Sequence, residues 1–467
     1  MTNNPTAPQI LTLARCVGYK DGWPLAQELA ENDPLRLAIE KELASPYHRQ
    51  LIAVTASAFH LLGNQTKRLV LLLSDQDGGF AKTGLYWDQS EGRVSKGKVE
   101  QAKRSPIFAP DQAYVELVLD QDRVDQGALH IFGHELAHVL MDLVIPQYPK
   151  GKSVKQHVSM GITDYFMAFY EGWGICFESF AHDHMDKYKK ATRDLYSPDR
   201  DQVNKWHSYV DAELRLRCVQ QNQYIYQKAR PASWHEDLPL TEKILLEHTS
   251  PLFDCTRVRN AQELLSSEGV MATIFYRLCM DTDLKNSAMP KEVQQAFGLD
   301  TRKTPLAPLE NILLKHVWIF WQIKDQVVDE QSPVFPFIKA WSTWFPEDKA
   351  TLIHLFLQTT VGRTVTDDLA SLHEQIGHHG LMGHVDDLRQ GIGSYRKRLE
   401  TIEKEVMIDW TLLDQNVGQE DWVQCPDTQI PTCLWIPDQT QALWVNRHTA
   451  TPTEQELIEK TKVEGQL

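Results

Sequence analysis

The stretch ALHIFGHELAHVLMDLV, residues 128–144, constrains this chain more than any other. His134 and His138 stand four residues apart, and Glu135 directly follows the first of them. On an α-helix such residues lie roughly 40° apart around the axis and about one turn along it, so both imidazoles leave the same face. The flanks are uncharged: Ile131, Phe132 and Gly133 before, Leu136 and Ala137 between, Val139 and Leu140 after. A buried helix with two histidines and a glutamate must satisfy all three polar groups, and one metal ion shared by the imidazoles does so. Glu135 is then placed beside the first ligand, able to take a proton from a water on the ion without coordinating it. The competing reading is an apolar helix whose three polar residues have separate, ordinary partners.

A chain of 467 residues, 42% hydrophobic and 24% charged, has globular composition and length for two or three packed units. Its net charge of −15 argues against binding a phosphate backbone, which needs a basic footprint. The N-terminus lacks a basic segment followed by an apolar run, so no secretory signal is expected. The most apolar later run, ILLKHVWIFW at 312–321, is short and carries Lys315 and His316, so no membrane span is expected either. Seven scattered cysteines without a CxxC pair read as reduced thiols, and the expected compartment is the cytoplasm.

The pattern along the chain predicts an α+β fold that is predominantly α. Residues 1–65 read as a helical region, with Asp33-Pro34 and Ser45-Pro46 as helix starts. Residues 66–190 read as an α+β unit holding the site. In it RLVLLL (68–73), TGLYW (83–87) and the alternating AYVELVLD (113–120) are strand candidates, and the polar SEGRVSKGKVEQAKRSP between them is a loop or hairpin. Residues 191–405 read as a helical domain walling a cleft, with helices near 199–228, 260–280, 307–325, 333–344 and 348–375. Ile392, Tyr395, Leu399, Ile402 and Val406 form a stripe that fits a seam within the same protein better than a partner helix. Residues 406–467, rich in Trp and Pro, read as a small β or irregular appendage, closed by a helix from Thr451-Pro452.

Two histidines need a third ligand. The extended HExxHxxGxxH pattern fails, because Met141 and Val144 occupy the required positions. The next dense helix, GITDYFMAFYEGWGICFESFAHDH (161–184), carries Asp164, Glu171 and Glu178 seven residues apart. Inward carboxylates on so apolar a helix are costly unless something charged lies opposite.

EGWGICFES resembles the second motif of the gluzincin zinc peptidases, where a helix with a Glu-Gly-aromatic-small segment supplies the third ligand. The resemblance implies metal roles for His134, His138 and Glu171, a base role for Glu135, and a supporting or substrate-facing role for Glu178. It implies one Zn2+ per chain, a peptide or protein substrate, and hydrolysis of a peptide bond by water that Glu135 activates. It also implies that a strand preceding the metal helix, here 113–120, offers an edge to an extended peptide. The likeness covers about residues 128–180. Thirty-two residues separate His138 from Glu171, a longer gap than in aminopeptidases of that group. Tyr170 replaces their Asn, and Gly174 stands where alanine is common. Asp164 and Glu178 stay open as alternative third ligands.

A second histidine group, LHEQIGHHGLMGH (372–384), offers His373, Glu374, His378, His379 and His384. His373 and His378 are five apart, a spacing that turns the rings away from each other in a regular helix. Gly377, Gly380 and Gly383 suggest a helix end and a polar loop, with a substrate-side histidine or a second metal site as the alternatives. Tyr224, Tyr276, Arg217 and His316 are all candidates to steady an oxyanion, and the sequence does not rank them. There is no phosphate-binding Gly-rich loop and no GxSxG elbow. The expectation is a zinc metallopeptidase. Its alternatives are a zinc hydrolase of a non-peptide amide or ester, and a non-catalytic binding or scaffold protein, with a protein partner conceivable and no nucleic-acid or membrane partner.

Overall fold

The computed structural model describes residues 10–64, 67–75, 79–88, 91–95, 98–102, 105–125, 127–149, 159, 163–184, 215–228, 253–300, 305–327, 331–417, 422–423, 433–437 and 442–446. The described chain begins with a hairpin rather than a helix. β1 (Leu11–Lys20) and β2 (Trp23–Glu28) are joined by Asp21-Gly22, with φ of 52° and 84°. A two-residue turn with both φ positive matches the twist of the strands it joins and favours Asp-Gly. The expected all-helical start is thus corrected for residues 11–28, and the signal was the KDGW turn. Helices follow where their caps were expected. Asp33 accepts from Leu35 N at the start of α1 (Pro34–Leu43), and Ser45 accepts from His48 N at the start of α2 (Pro46–Leu61). Each such cap is worth about 1 kcal/mol.

β3 (Leu69–Leu73), β4 (Gly79–Trp87) and β7 (Ile107–Leu117) complete a closed five-stranded barrel with β1 and β2, in the order β1-β2-β4-β7-β3. The barrel therefore draws on both sides of residue 65. The polar excursion after β4 is a hairpin of β5 (Glu91–Ser95) and β6 (Lys98–Ala102). The side-chain period of two sorts the barrel residues. Ala14, Ala26, Val70, Leu72, Leu85 and Tyr114 form a small core of their own, whereas Leu69, Leu71, Leu73, Ala113, Val115 and Leu117 join the main core with the helices. A strand buried on both faces has no polar side, which is why RLVLLL reads as a continuous apolar run.

After a short α3 (Gln121–Asp125), α4 (His130–Val144) lies on β4 and β7 and packs against α5 (Tyr165–His184). Residues 215–220 are helical, and β8 (Tyr226–Lys228) pairs with β9 (Phe253–Val258). The remaining described helices are α6 (Ala261–Leu265), α7 (Glu268–Met280), α8 (Thr282–Asn286), α9 (Lys291–Ala296), α10 (Pro308–Ile323), α11 (Val334–Trp344), α12 (Lys349–Thr359), α13 (Asp367–Met382) and α14 (Val385–Ile408). The run expected over 348–375 is two helices, α12 and α13. The stripe on α14 buries Leu399, Ile402 and Val406 while α14 packs on α12 and α13, so it is a seam within the chain. β10 (Trp422–Val423), β11 (Cys433–Pro437) and β12 (Ala442–Asn446) form a three-stranded sheet. The helix expected from Thr451 lies outside the described residues.

The fold is α+β and predominantly helical, as expected. Among the described residues no helix is long and apolar enough to cross a membrane. In α10, Lys315 is fully buried and bonds Asp348 Oδ2 at 3.0 Å, the Leu284 carbonyl at 3.1 Å and Ser287 Oγ, while Trp341 Nε1 donates to the same carboxylate oxygen at 3.0 Å. A buried ammonium is tolerable only with such a set of partners. Cys16, Cys176, Cys218, Cys255 and Cys279 are free thiols.

Candidate metal centre

The imidazoles of α4 face the carboxylates of α5. His134 Nε2 and His138 Nε2 are 2.9 Å apart, and Glu171 Oε2 lies 3.4 Å from each. Ligand bonds of about 2.0–2.2 Å in a tetrahedral site place neighbouring ligand atoms about 3.3 Å apart. Glu171 Oε2 stands at the separation a shared ion would impose, and the two Nε2 atoms are about 0.4 Å closer than that. His138 is buried, and its Nδ1 has no hydrogen-bond partner among the described residues. Its ring stacks on Tyr170 with centroids 4.0 Å apart and planes 10° apart. Tyr170 donates to Asp142 Oδ2 at 3.2 Å and so serves as a wall for the His138 ring.

The EGWG segment positions α5 against both neighbours. A Cβ on Gly172 would come within 2.4 Å of Met271 Cβ, so its absence lets α5 approach α7 closely. A Cβ on Gly174 would come within 2.8 Å of His134 Cε1 and Nε2, so that glycine leaves room for the His134 ring. Trp173 is fully buried and donates from Nε1 to the Ala137 carbonyl at 3.2 Å, tying the two helices together.

Asp164, Glu171 and Glu178 have three different surroundings. Asp164 Oδ1 accepts from the backbone N–H of Phe166 at 2.9 Å and Met167 at 2.7 Å, which makes it the cap of the helix. Glu171 faces both Nε2 atoms. Glu178 lies behind the first ring, with Oε1 2.6 Å from His134 Nδ1, although not aligned as a hydrogen bond, and Oε2 accepting from Arg215 Nη1 at 2.7 Å. Of the two alternatives to Glu171, Asp164 caps the helix and Glu178 meets the Nδ1 side of the His134 ring.

Electrostatics express the same arrangement. Burial opposes a charge on His134, but Glu171 and Glu178 outweigh it and hold the imidazole well above its ordinary value. Burial likewise opposes ionised Glu171, and His138 and His134 override it, keeping that carboxyl well below its usual range. Burial also works against Glu178, yet Arg215 and His134 bring it down to about 2. Two carboxylates against these rings call for a positive charge between them, which a proton on an imidazole supplies and a metal ion at the Nε2 atoms would supply equally. Glu135 differs: its burial raises the carboxyl against the opposing pull of His134 and His138.

β4 runs past this centre. A Cβ on Gly79 would stand 2.6 Å from Glu135 Oε1 and 2.9 Å from Ile131 Cγ2, so backbone and carboxylate are in direct contact. The expected edge strand was 113–120. Over 113–117 that strand is β7, paired with β4 from Gly79 to Thr83 and, over Tyr114–Leu117, with β3 on its other side, so those residues offer no free edge. β4 itself meets β2 only at Tyr86 and Trp87, leaving Gly79–Thr83 without a second strand among the described residues. The edge beside the centre is therefore β4.

The other candidates occupy different surroundings. His316 is buried between Trp173 and Trp341, with ring centroids at 5.0 and 4.7 Å, and its Nδ1 meets the Ile312 carbonyl at 2.8 Å. Tyr224 is buried in the core, Tyr276 stacks on Phe180 at 5.9 Å and accepts from Gln220, and Arg217 is exposed. Residues 372–384 are not the expected loop. They continue α13 as far as Met382, where Gly383 at φ 70° ends it. His373 Nε2 and Tyr226 OH share a hydrogen bond of 2.7 Å, and Glu374 Oε1 accepts from Val258 N at 2.7 Å.

Sequence reasoning missed Arg215 and His130. His130 stands one turn before His134, a spacing that was visible, and it senses Glu178 electrostatically. Arg215 follows Glu178 by 37 residues with no motif around it. No known protein family, curated protein or solved structure matches this chain.

Proposed function

We propose that this protein is a zinc-dependent peptide hydrolase of gluzincin type, with His134, His138 and Glu171 as the ligands and Glu135 as the general base. The observation that carries the reading is the convergence of the three ligand atoms beside a buried carboxylate that ligates nothing. Bound there, zinc would polarise a carbonyl and ease the ionisation of a water. Glu135 takes that proton and returns it to the leaving amine. Its burial lifts the carboxyl towards the range in which one group can do both near neutral pH. Glu178, anchored by Arg215, presents an oxygen to the Nδ1 side of His134 and would hold that ring with Nε2 towards a bound ion. The unpaired side of Gly79–Thr83 on β4 favours a peptide over a small amide or ester. An extended chain can add to it as a strand through main-chain hydrogen bonds.

The test is zinc content by elemental mass spectrometry together with turnover of a mixed fluorogenic peptide library and a panel of small esters and amides. One zinc per chain that is lost in Glu171→Gln, with peptide cleavage that disappears in Glu135→Gln, supports the reading. Cleavage of the small panel alone points to a non-peptide hydrolase. Zinc without turnover of either class leaves a binding protein and overturns the assignment.

A further inference from the structure

A second group of ligating side chains lies away from this centre, at the tip of the α13–α14 hairpin. His379 is in the last turn of α13, His384 precedes the first residue of α14, and Asp387 is in its first turn. Spacings of five and three residues would not bring all three together on one straight helix. The reversal at Gly383 does so. His379 Nδ1 lies 3.9 Å and His384 Nδ1 3.7 Å from Asp387 Oδ2, and one ligand atom from each residue lies within 4.8 Å of the other two.

We propose that His379, His384 and Asp387 form a second divalent-metal site, of the two-imidazole, one-carboxylate type that takes Zn2+. The contacts are too long to be direct hydrogen bonds. The two contacts to Asp387 exceed the roughly 3.3 Å between ligands of a tetrahedral ion by about half an ångström, and side-chain rotation can bring the two imidazoles, whose ligand atoms lie within 4.8 Å, together as well. His379 Nδ1 is itself shielded from solvent and has no hydrogen-bond partner among the described residues, so a donor atom aimed into the group is left to be satisfied. Side chains of His384 and Asp387 are 53% and 59% exposed, which leaves the remaining coordination positions open to water. Two imidazoles with one carboxylate suit borderline ions such as zinc better than calcium or magnesium, which prefer oxygen. The C-terminal end of α13 adds its negative dipole, and Asp386 and Asp387 offset the positive start of α14. An ion held there would clamp the two helices across their turn. This proposal stands apart from the reading of the α4–α5 centre.

The experiment counts Zn2+ bound after equilibrium dialysis, on the full chain with Glu171→Gln and His138→Gln in place to silence the first centre. One zinc per chain that is lost in His384→Asn and in Asp387→Asn supports the site. Equal zinc with and without those substitutions, or none in the parent, overturns it. Both changed residues are more than half exposed, so folding is expected to survive, and a far-UV spectrum checks it. Because an imidazole must be neutral to ligate, uptake at a true site also falls on acidification. Uptake that does not change with pH argues against the site.

Discussion

Helices α4 and α13 each carry a histidine, a glutamate directly after it and another histidine downstream, but differ by one residue in spacing. On α4 the histidines are four apart, and the Nε2 atoms of His134 and His138 meet at 2.9 Å. On α13 they are five apart, His373 turns to Tyr226, and His378 is exposed. One extra residue rotates the second ring by about 100° about the helix axis. The surroundings differ as well. α4 lies between the barrel and α5, where burial leaves each polar group dependent on the others, whereas much of α13 faces solvent and each group finds a separate partner. A glutamate after the histidine is accordingly a shielded carboxylate on α4 and a backbone acceptor for Val258 N on α13. Spacing decides whether ligands converge, and burial decides whether convergence matters.

The comparison would break first at Glu171. Glu171→Gln should remove about one bound metal ion per chain, the one at the α4–α5 centre, and abolish turnover, measured by elemental analysis beside a peptide assay, while Glu374→Gln should leave both intact. If the two variants behave alike, the contrast between the helices has no functional content. Glu135→Gln is the next largest effect, a fall of about 10²- to 10⁴-fold in kcat/KM with metal retained. Loss of the metal in that variant would make Glu135 a ligand and remove its role as base.

On α13 the expected consequence is for stability and its pH dependence. Burial holds His373 at about 4. The unfolded chain, with an ordinary histidine near 6.5, therefore binds a proton between those values that the folded chain refuses. Stability from this group is complete above about pH 6.5 and declines as pH falls towards about 4, by on the order of 3 kcal/mol. Denaturant unfolding across that range should show the decline in the parent chain and a flatter profile in His373→Gln. An unchanged profile would mean that His373 is not the group responsible.

Glu178→Gln should weaken metal binding about 10- to 100-fold without removing it, read by chelator competition. A loss as complete as that of Glu171→Gln would move Glu178 into the ligand set. The smallest expected effect is His378→Ala, within about 0.5 kcal/mol of the parent stability. A larger effect would show that this exposed position has a partner and sharpen the comparison against us.

Much of the fold was legible where local signals are strong. Caps at Asp33 and Ser45, the apolar strand at 69–73 and the long helices could be read from the residues themselves. The first hairpin shows locally only in Asp21-Gly22, a two-residue turn signal beside the longer helical pattern that begins at Pro34. The edge strand was misassigned because alternation reports which face of a strand is buried and says nothing about how many neighbours it has. β7 alternates well and is still interior to the sheet over Tyr114–Leu117.

By itself the sequence determined the spacing of His134, Glu135 and His138 and the separation of Glu171 from Glu178 by two helical turns. Those are consequences of helix geometry, which needs only local hydrogen bonds. Which carboxylate meets the rings was decided by the tertiary structure, through the packing of α4 against α5. So were the positions of Gly174 beside His134, Arg215 behind Glu178 and Gly79 against Glu135. Each is a contact between elements far apart in the chain, and its existence depends on how closely two surfaces approach. The same holds at the α13–α14 tip, where a turn rather than a helix face brings His379, His384 and Asp387 together.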